Sequence, residues 1–156
     1  MESDHGDPAN RKVRPSDRTD GTTPLAWYLR RGHSMYKRDW ICTPEMVQLL
    51  IAHGADVNAN TGKARETPLM FAADQGPEIV QLLLDAGAKI EAKCRYAEMT
   101  ALNHAAYGKN ETSLRSAKLL LANGAEVNHR SKIGYPLTHA CSRGSAPMAE
   151  MLMKQG

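Results

Sequence analysis

The chain has few aromatic residues and few cysteines, and both shortages restrict what it can be. Only 5% of its 156 residues are aromatic although 42% are hydrophobic, so its core must be built mainly from aliphatic side chains. The three cysteines, Cys42, Cys94 and Cys141, are odd in number and widely spaced. This pattern favours free thiols in a reducing compartment over a disulfide framework. We therefore expect a cytoplasmic protein, or a nuclear one as well if the source is eukaryotic.

Long apolar runs, a strong net charge and catalytic motifs are also missing. No stretch of about 18 apolar residues occurs, so the sequence predicts neither a membrane span nor a membrane partner. The 20 basic and 17 acidic residues leave a net charge of +3, which is too small to indicate nucleic-acid binding by itself. No Cys-x-x-Cys pair, phosphate loop or serine triad has a recognisable spacing. We expect no catalytic site, no metal site and no cofactor.

A helical hairpin recurs along most of the chain. In its most regular copy, Thr67 suits the N-cap position, Pro68 suits the first helical position, and a leucine-rich second helix ends at Gly87. The steps from Thr67 to Thr100 and from Gly54 to Gly87 are both 33 positions (100 − 67 and 87 − 54). A fixed period of this length is typical of a solenoid of stacked repeats.

The repeating motifs resemble the ankyrin repeat. The matching segments are Thr-Pro-Leu at 67–69, Glu-Ile-Val-Gln-Leu-Leu-Leu at 78–84, Gly-Ala-Asp-Val-Asn at 54–58 and Gly-Ala-Glu-Val-Asn at 124–128. The resemblance implies an all-α solenoid of helix-turn-helix repeats joined by short β-hairpin-like loops. It also implies a non-enzymatic module, a scaffold that binds another protein through its concave groove and adjacent loops.

One position departs from the family pattern. The family usually places a histidine directly after Thr-Pro-Leu, and this histidine takes part in a hydrogen-bond link between neighbouring repeats. The corresponding residues here are Ala26, Met70, Asn103 and Thr138. The resemblance therefore does not imply that link for this chain.

The repeats divide the chain into a tail and one domain. Residues 1–19 are polar and should form a disordered tail, because they cannot bury enough apolar surface to offset the entropy of ordering. Residues 20–156 should form the repeat domain, with approximate repeats at 20–58, 64–91, 97–128 and 132–156.

Two of the connections between paired helices are longer than in the regular repeat. Leu25 to Leu49 is 24 steps and Leu102 to Leu119 is 17, against 13 from Leu69 to Leu82, so the first repeat gains 11 residues and the third gains 4 (24 − 13 and 17 − 13). We expect these additions to lie within 32–44 and 108–115 and to project as loops from one edge of the array, beside the groove. Loop lengths that drift without function are the alternative.

The apolar last helix suggests a further contact. Its methionines and leucine, Met148, Met151, Leu152 and Met153, are not followed by a polar capping repeat, which solenoids need at their ends. Either the natural chain continues beyond Gly156, which we favour, or these side chains contact another chain.

Candidate partner-binding residues lie on the first helices and on the two extensions. Superimposing the first helices aligns a column of rings at Trp27, Phe71, His104 and His139, which either pack between helices or border the groove. In the first extension, aromatic rings beside cations resemble the composition of interface hot spots, although they could instead cover the open end of the first repeat. The full set is Trp27, Arg30, Arg31, Tyr36, Lys37, Arg38, Trp40, Phe71, Asp74, Gln75, Tyr107, Lys109, His139 and Arg143.

The connections between successive repeats carry basic or titratable residues at corresponding places. These are Lys63 and Arg65, then Lys93, Arg95 and Tyr96, then His129, Arg130 and Lys132. Such a stripe would complement a partner protein with an acidic surface, unless it is ordinary solvated turn surface. The main hypothesis is a protein-binding adaptor or an inhibitor of its partner. The alternative is a regulatory protein that associates with nucleic acid through these basic fingers.

Overall fold

The computed structural model describes residues 23–32 and 42–156, and these ranges contain eight α-helices. In chain order the helices are α1 (Pro24–Gly32), α2 (Pro44–Ala52), α3 (Pro68–Ala72), α4 (Pro77–Asp85), α5 (Ala101–Tyr107), α6 (Glu111–Ala122), α7 (Pro136–Arg143) and α8 (Ala146–Gln155). None of the helices in these ranges is long and apolar enough to cross a membrane. The predicted tail and nearly all of the first extension lie outside the described residues.

The helices form two stacked layers. In the inner layer α1 contacts α3, α3 contacts α5 and α5 contacts α7, whereas in the outer layer α2, α4, α6 and α8 follow one another. Each inner helix also packs on the outer helix that follows it in the chain. The expected all-α solenoid is therefore confirmed.

The core between the layers is aliphatic. Leu29, Leu83 and Leu120 are fully buried, and so are the small pairs at 72–73 and 105–106. Alanines at these inner positions let neighbouring helices approach closely without leaving cavities. The low aromatic content is thus compatible with a continuous core that runs through all four repeats.

Three of the four residues that replace the family histidine cap their own helices. Met70 Sδ accepts a hydrogen bond from the backbone N–H of Thr67 at 3.4 Å, Asn103 Oδ1 accepts from Thr100 N–H at 3.1 Å, and Thr138 Oγ1 accepts from Tyr135 N–H at 2.7 Å. Three chemically different side chains therefore satisfy the same N-terminal donor. At these three positions the side chain therefore forms a hydrogen bond within its own helix start.

The four additional residues of the third repeat do not form a projecting loop, so that part of the prediction was wrong. Helix α6 has 12 residues, against 9 in α4, and begins about one turn earlier relative to the glycine that follows each helix. Asn110 explains the early start, because its Oδ1 accepts from both the N–H and the hydroxyl of Ser113 at 2.7 Å. Glu111 adds an acid at the positive end of the helix. Most of the insertion is a helical turn.

The connections between repeats form short hairpin fingers. A backbone bridge joins Thr61 to Glu66 in the first finger, and another joins Ser131 to Gly134 in the third, which is therefore two residues shorter between its paired positions. Successive fingers are joined by backbone hydrogen bonds, from Arg95 N to Ala64 O at 2.6 Å and from Lys132 N to Ala97 O at 2.8 Å. A second apolar cluster of Met70, Cys94 and Met99 supports the second finger.

The cysteines and the last helix complete the fold. All three cysteines are free, as predicted; Cys42 and Cys94 are buried and Cys141 is exposed. In α8, Met148 and Leu152 face the core, whereas Met153 is 60% exposed. The proposed further contact at this helix stays a prediction.

Candidate functional site

A pocket of about 450 Å³ opens between the second, third and fourth repeats. We call it the groove pocket. Helix α5, the turns that follow α3 and α5, the second and third fingers and the end of α7 all contribute to it. Its lining residues are Asp74, Met99, His104, Tyr107, Gly108, Lys109, Ile133 and Arg143.

Tyr107 and Arg143 form a stacked pair at the wall of the groove pocket. The guanidinium carbon of Arg143 lies 4.0 Å from the centre of the Tyr107 ring, and Arg143 Nε donates to the Tyr107 carbonyl at 3.0 Å. This pair joins the third repeat to the fourth and holds the cation in place. Because the hydrogen bond uses Nε, the terminal Nη groups can still donate to a carboxylate.

The buried ring of His139 packs against the Tyr107 ring of this pair. Its ring packs edge-on against Tyr107, with 5.7 Å between ring centres, and only 4% of the residue is exposed. Burial lowers the pKa of His139 from its ordinary value, because the charged imidazolium loses its hydration. A neutral ring under Tyr107 adds no charge that would repel Arg143.

The groove pocket has more positive than negative side chains in its lining. Lys109 and Arg143 are exposed cations, and Asp74 is a half-buried carboxylate that accepts a hydrogen bond from Gln75 Nε2 at 3.3 Å. Met99, Ile133 and the Tyr107 ring provide apolar surface between these groups. The pocket can therefore take an apolar side chain that is flanked by an acidic group.

Four of the residues proposed from the sequence meet at the groove pocket: Asp74, Tyr107, Lys109 and Arg143. Gln75 is next to them. Phe71 and His139 are 3% and 4% exposed, so their rings offer a partner little surface. For His139 the structure agrees with packing between helices, since its ring is buried against Tyr107.

The remaining proposed residues lie elsewhere. Trp27, Arg30 and Arg31 belong to α1, with the Arg31 guanidinium 4.7 Å from the centre of a Trp27 ring that is partly exposed. The residues of the first extension, Tyr36, Lys37, Arg38 and Trp40, lie outside the described part of the chain. A role in partner binding stays a prediction for both groups.

Sequence reasoning did not propose Met99, His104, Gly108 or Ile133 as site residues. His104 was visible in the column of rings, and Gly108 directly precedes Lys109. Gly108 matters because a Cβ at this position would overlap the Ser113 side chain in the first turn of α6. Ile133 is 58% exposed, and no sequence signal marked it, because single exposed apolar side chains are common on protein surfaces.

The basic fingers are less alike than the sequence suggested. Lys132 Nζ lies 2.9 Å from Glu98 Oε1, and the hydrogen bond and the charge of Lys132 lower the pKa of the Glu98 carboxyl. His129 is buried, with Nε2 2.9 Å from the Glu98 carbonyl oxygen. The third finger therefore presents less free positive charge than its composition implies.

Comparisons with known proteins agree with the geometry. A family model described as ankyrin repeats (3 copies) matches residues 5–94 and 41–131. The human protein named ankyrin repeat and SOCS box protein 16 is 36% identical over 147 residues, which cover 88% of this chain and 29% of that protein. The chain thus spans less than a third of the length of this relative. The chain belongs to the ankyrin repeat family, whose members are typically non-catalytic and whose repeats generally mediate protein–protein interaction.

Proposed function

We propose that the chain binds another protein through its concave groove, with the groove pocket as the point of specific contact. A segment of the partner inserts an apolar side chain between Met99, Tyr107 and Ile133 and places a carboxylate near Lys109 and Arg143. The observation that carries the proposal is the stacked Tyr107–Arg143 pair at the wall of the groove pocket, next to the apolar side chains of Met99 and Ile133. Aromatic and arginine side chains of this kind are enriched among interface hot spots.

Two biological roles fit this binding mode. As an inhibitor, the chain would cover a functional surface of its partner; as an adaptor, it would bring the partner to another protein. A standard interface buries about 1,600 Å² in total, which the groove and the fingers could supply. The nucleic-acid alternative has less support, because Lys132 is paired with Glu98 and His129 is buried.

Selection from a displayed library of random peptides tests the proposal without knowledge of the partner. We expect the full chain to enrich peptides that combine a large apolar residue with a nearby Asp or Glu. Replacing Tyr107 by Ala and Arg143 by Glu together should weaken binding of the selected peptides at least tenfold, because the ring is removed and the charge reversed. Fluorescence anisotropy with synthetic peptides would give the dissociation constants.

Arg115→Glu is the matched control, since Arg115 is an exposed cation of α6 that lies beside Glu78 of the outer layer. It reverses the same charge away from the groove and should leave peptide binding unchanged. Enrichment of basic peptides, or equal binding by the Tyr107→Ala, Arg143→Glu variant, would contradict the proposal. Strong binding of DNA or RNA that weakens steeply with salt would favour the nucleic-acid alternative.

A further inference from the structure

Side chains that follow one outer helix form hydrogen bonds with the backbone at the end of the next outer helix. In the first of these links, the side chain of Asn58 forms two such bonds. Asn58 Oδ1 accepts a hydrogen bond from Lys89 N–H at 2.8 Å, and Asn58 Nδ2 donates to the Gly87 carbonyl at 3.0 Å. The amide thus satisfies one donor and one acceptor of the next repeat. An amide suits this place because it offers both groups on one rigid plane.

The second link has a carboxylate in the same place. Glu91 lies 33 positions after Asn58 (91 − 58), and its Oε1 accepts from Glu126 N–H at 3.0 Å. An ionised carboxylate has no hydrogen to donate, so it cannot make the second bond that Asn58 makes to Gly87. Glu91 therefore brings an additional negative charge and free lone pairs to this junction.

Two more ligand atoms face the same point. The donor atoms of Glu91, Glu126 and His129 all lie within 4.8 Å of one another. His129 is only 5% exposed, and its Nε2 is 2.9 Å from the Glu98 carbonyl oxygen. Because a carbonyl can only accept, Nε2 must carry the hydrogen. The other nitrogen, Nδ1, is directed toward Glu126 with 3.7 Å between Nδ1 and Oε2.

The three donor atoms lie close enough together to surround one ion. With the hydrogen on Nε2, the lone pair of His129 Nδ1 is available as a metal ligand on the side of the two carboxylates. We propose that Glu91, Glu126 and His129 bind one Zn²⁺ ion, with water as a fourth ligand. Imidazole and carboxylate are both zinc ligands, and this set leaves the fourth position open.

The surroundings already have the features of a metal site. Ligating histidines usually donate their second nitrogen to a carbonyl or carboxylate, which fixes the ring orientation, and His129 does so to Glu98. Ligand distances of about 2.0–2.1 Å place neighbouring tetrahedral donors roughly 3.3 Å apart. The present separations, up to 4.8 Å, would close by small movements of side chains such as the largely exposed Glu126 carboxylate. The bound ion would join the ends of α4 and α6.

Isothermal titration of the full, reduced chain with zinc chloride tests the proposal. We expect wild type to bind one Zn²⁺ at this site and Zn²⁺ to raise its melting temperature. Glu126→Gln and Glu91→Asn should each weaken binding at least tenfold. Glu91→Asn should still fold, because it introduces the residue that makes the complete link at position 58. His53→Ala removes an exposed histidine elsewhere and should leave the affinity unchanged.

Nitrogen NMR of the His129 ring tests whether zinc binds at Nδ1. Zinc should shift the Nδ1 resonance of wild type and leave that of Glu126→Gln unchanged at the same concentration. Equal zinc affinity in wild type, Glu91→Asn and Glu126→Gln would show adventitious binding and overturn the proposal. Absence of binding at millimolar zinc would also overturn it. Peptide binding at the groove pocket is measured separately, so the two proposals fail independently.

Discussion

The second and third repeats share one core but differ in where the outer helix begins. Helix α4 starts at Pro77, after a glycine with φ of 149° and no side-chain cap, whereas α6 starts one turn earlier behind the capping side chain of Asn110. The regular repeat contributes only Asp74 to the groove pocket, and the longer one contributes Met99, His104, Tyr107, Gly108 and Lys109. The regular repeat contributes mainly to the core, whereas the longer one supplies most of the lining of the groove pocket.

The largest expected effect is the loss of stability when a core leucine is removed from either repeat. It tests whether both repeats contribute to one common core. Leu83 of α4 and Leu120 of α6 occupy equivalent, fully buried positions. Replacing either by Ala should lower the free energy of unfolding by about 2–5 kcal/mol, because a cavity remains in the core. Urea denaturation followed by circular dichroism would measure both. A loss below about 1 kcal/mol for Leu83→Ala alone would show that the second repeat is not central to the core.

A smaller effect isolates the early start of α6. Asn110→Ala removes the acceptor for Ser113 and should cost about 1 kcal/mol, while fraying the turn that positions Lys109. The same denaturation experiment measures the cost, and weaker binding of the selected peptides should accompany it. Asn110→Asp keeps the acceptor and is the matched control. Unchanged stability and binding in Asn110→Ala would mean that packing alone determines where α6 begins.

The junction of the third and fourth repeats should respond to pH. Burial lowers the pKa of His139 below its ordinary value of 6.5, so below that pH the unfolded chain binds a proton that the folded chain rejects. Stability from this source is complete above about pH 6.5 and falls with pH until the folded pKa is reached. Denaturation midpoints between pH 7.5 and 5 should fall less steeply for His139→Gln than for wild type. Parallel profiles would refute this assignment.

The smallest effect concerns the charge pair between the outer helices of the two repeats. Arg115 Nη2 lies 3.7 Å from Glu78 Oε1, and both side chains are about 60% exposed. Because water and salt screen such a pair, Glu78→Gln should change stability by less than about 0.5 kcal/mol. Thermal melts at low and high salt would measure it. A loss above 1 kcal/mol would show that charge, rather than packing, joins α4 to α6.

The repeat architecture could be predicted because its signals are local. Thr67, Pro68 and Gly87 specify where helices begin and end, and the period of 33 repeats these signals along the chain. The family histidine was absent, yet Met70, Asn103 and Thr138 cap the same donor with different chemistry. Helix boundaries therefore follow from residues a few positions apart.

The candidate site was only partly predictable because it is assembled from distant segments. Asp74, Tyr107, Lys109 and Arg143 were proposed one helix at a time, and only packing of three repeats brings them together. Counting residues showed that the third repeat is longer but not that the addition is helical. The cap formed by Asn110, followed by Glu111, was the readable signal for that helix start.

The backbone hydrogen bonds between fingers allow the opening of each junction between repeats to be measured. The amides of Arg95 and Lys132 donate to the preceding finger, although both side chains are exposed. Their hydrogens can exchange with solvent only when these bonds between neighbouring fingers open. Hydrogen-exchange rates at these two amides would therefore report how often each junction opens, and whether a ligand bound across it makes the repeats unfold as one cooperative unit.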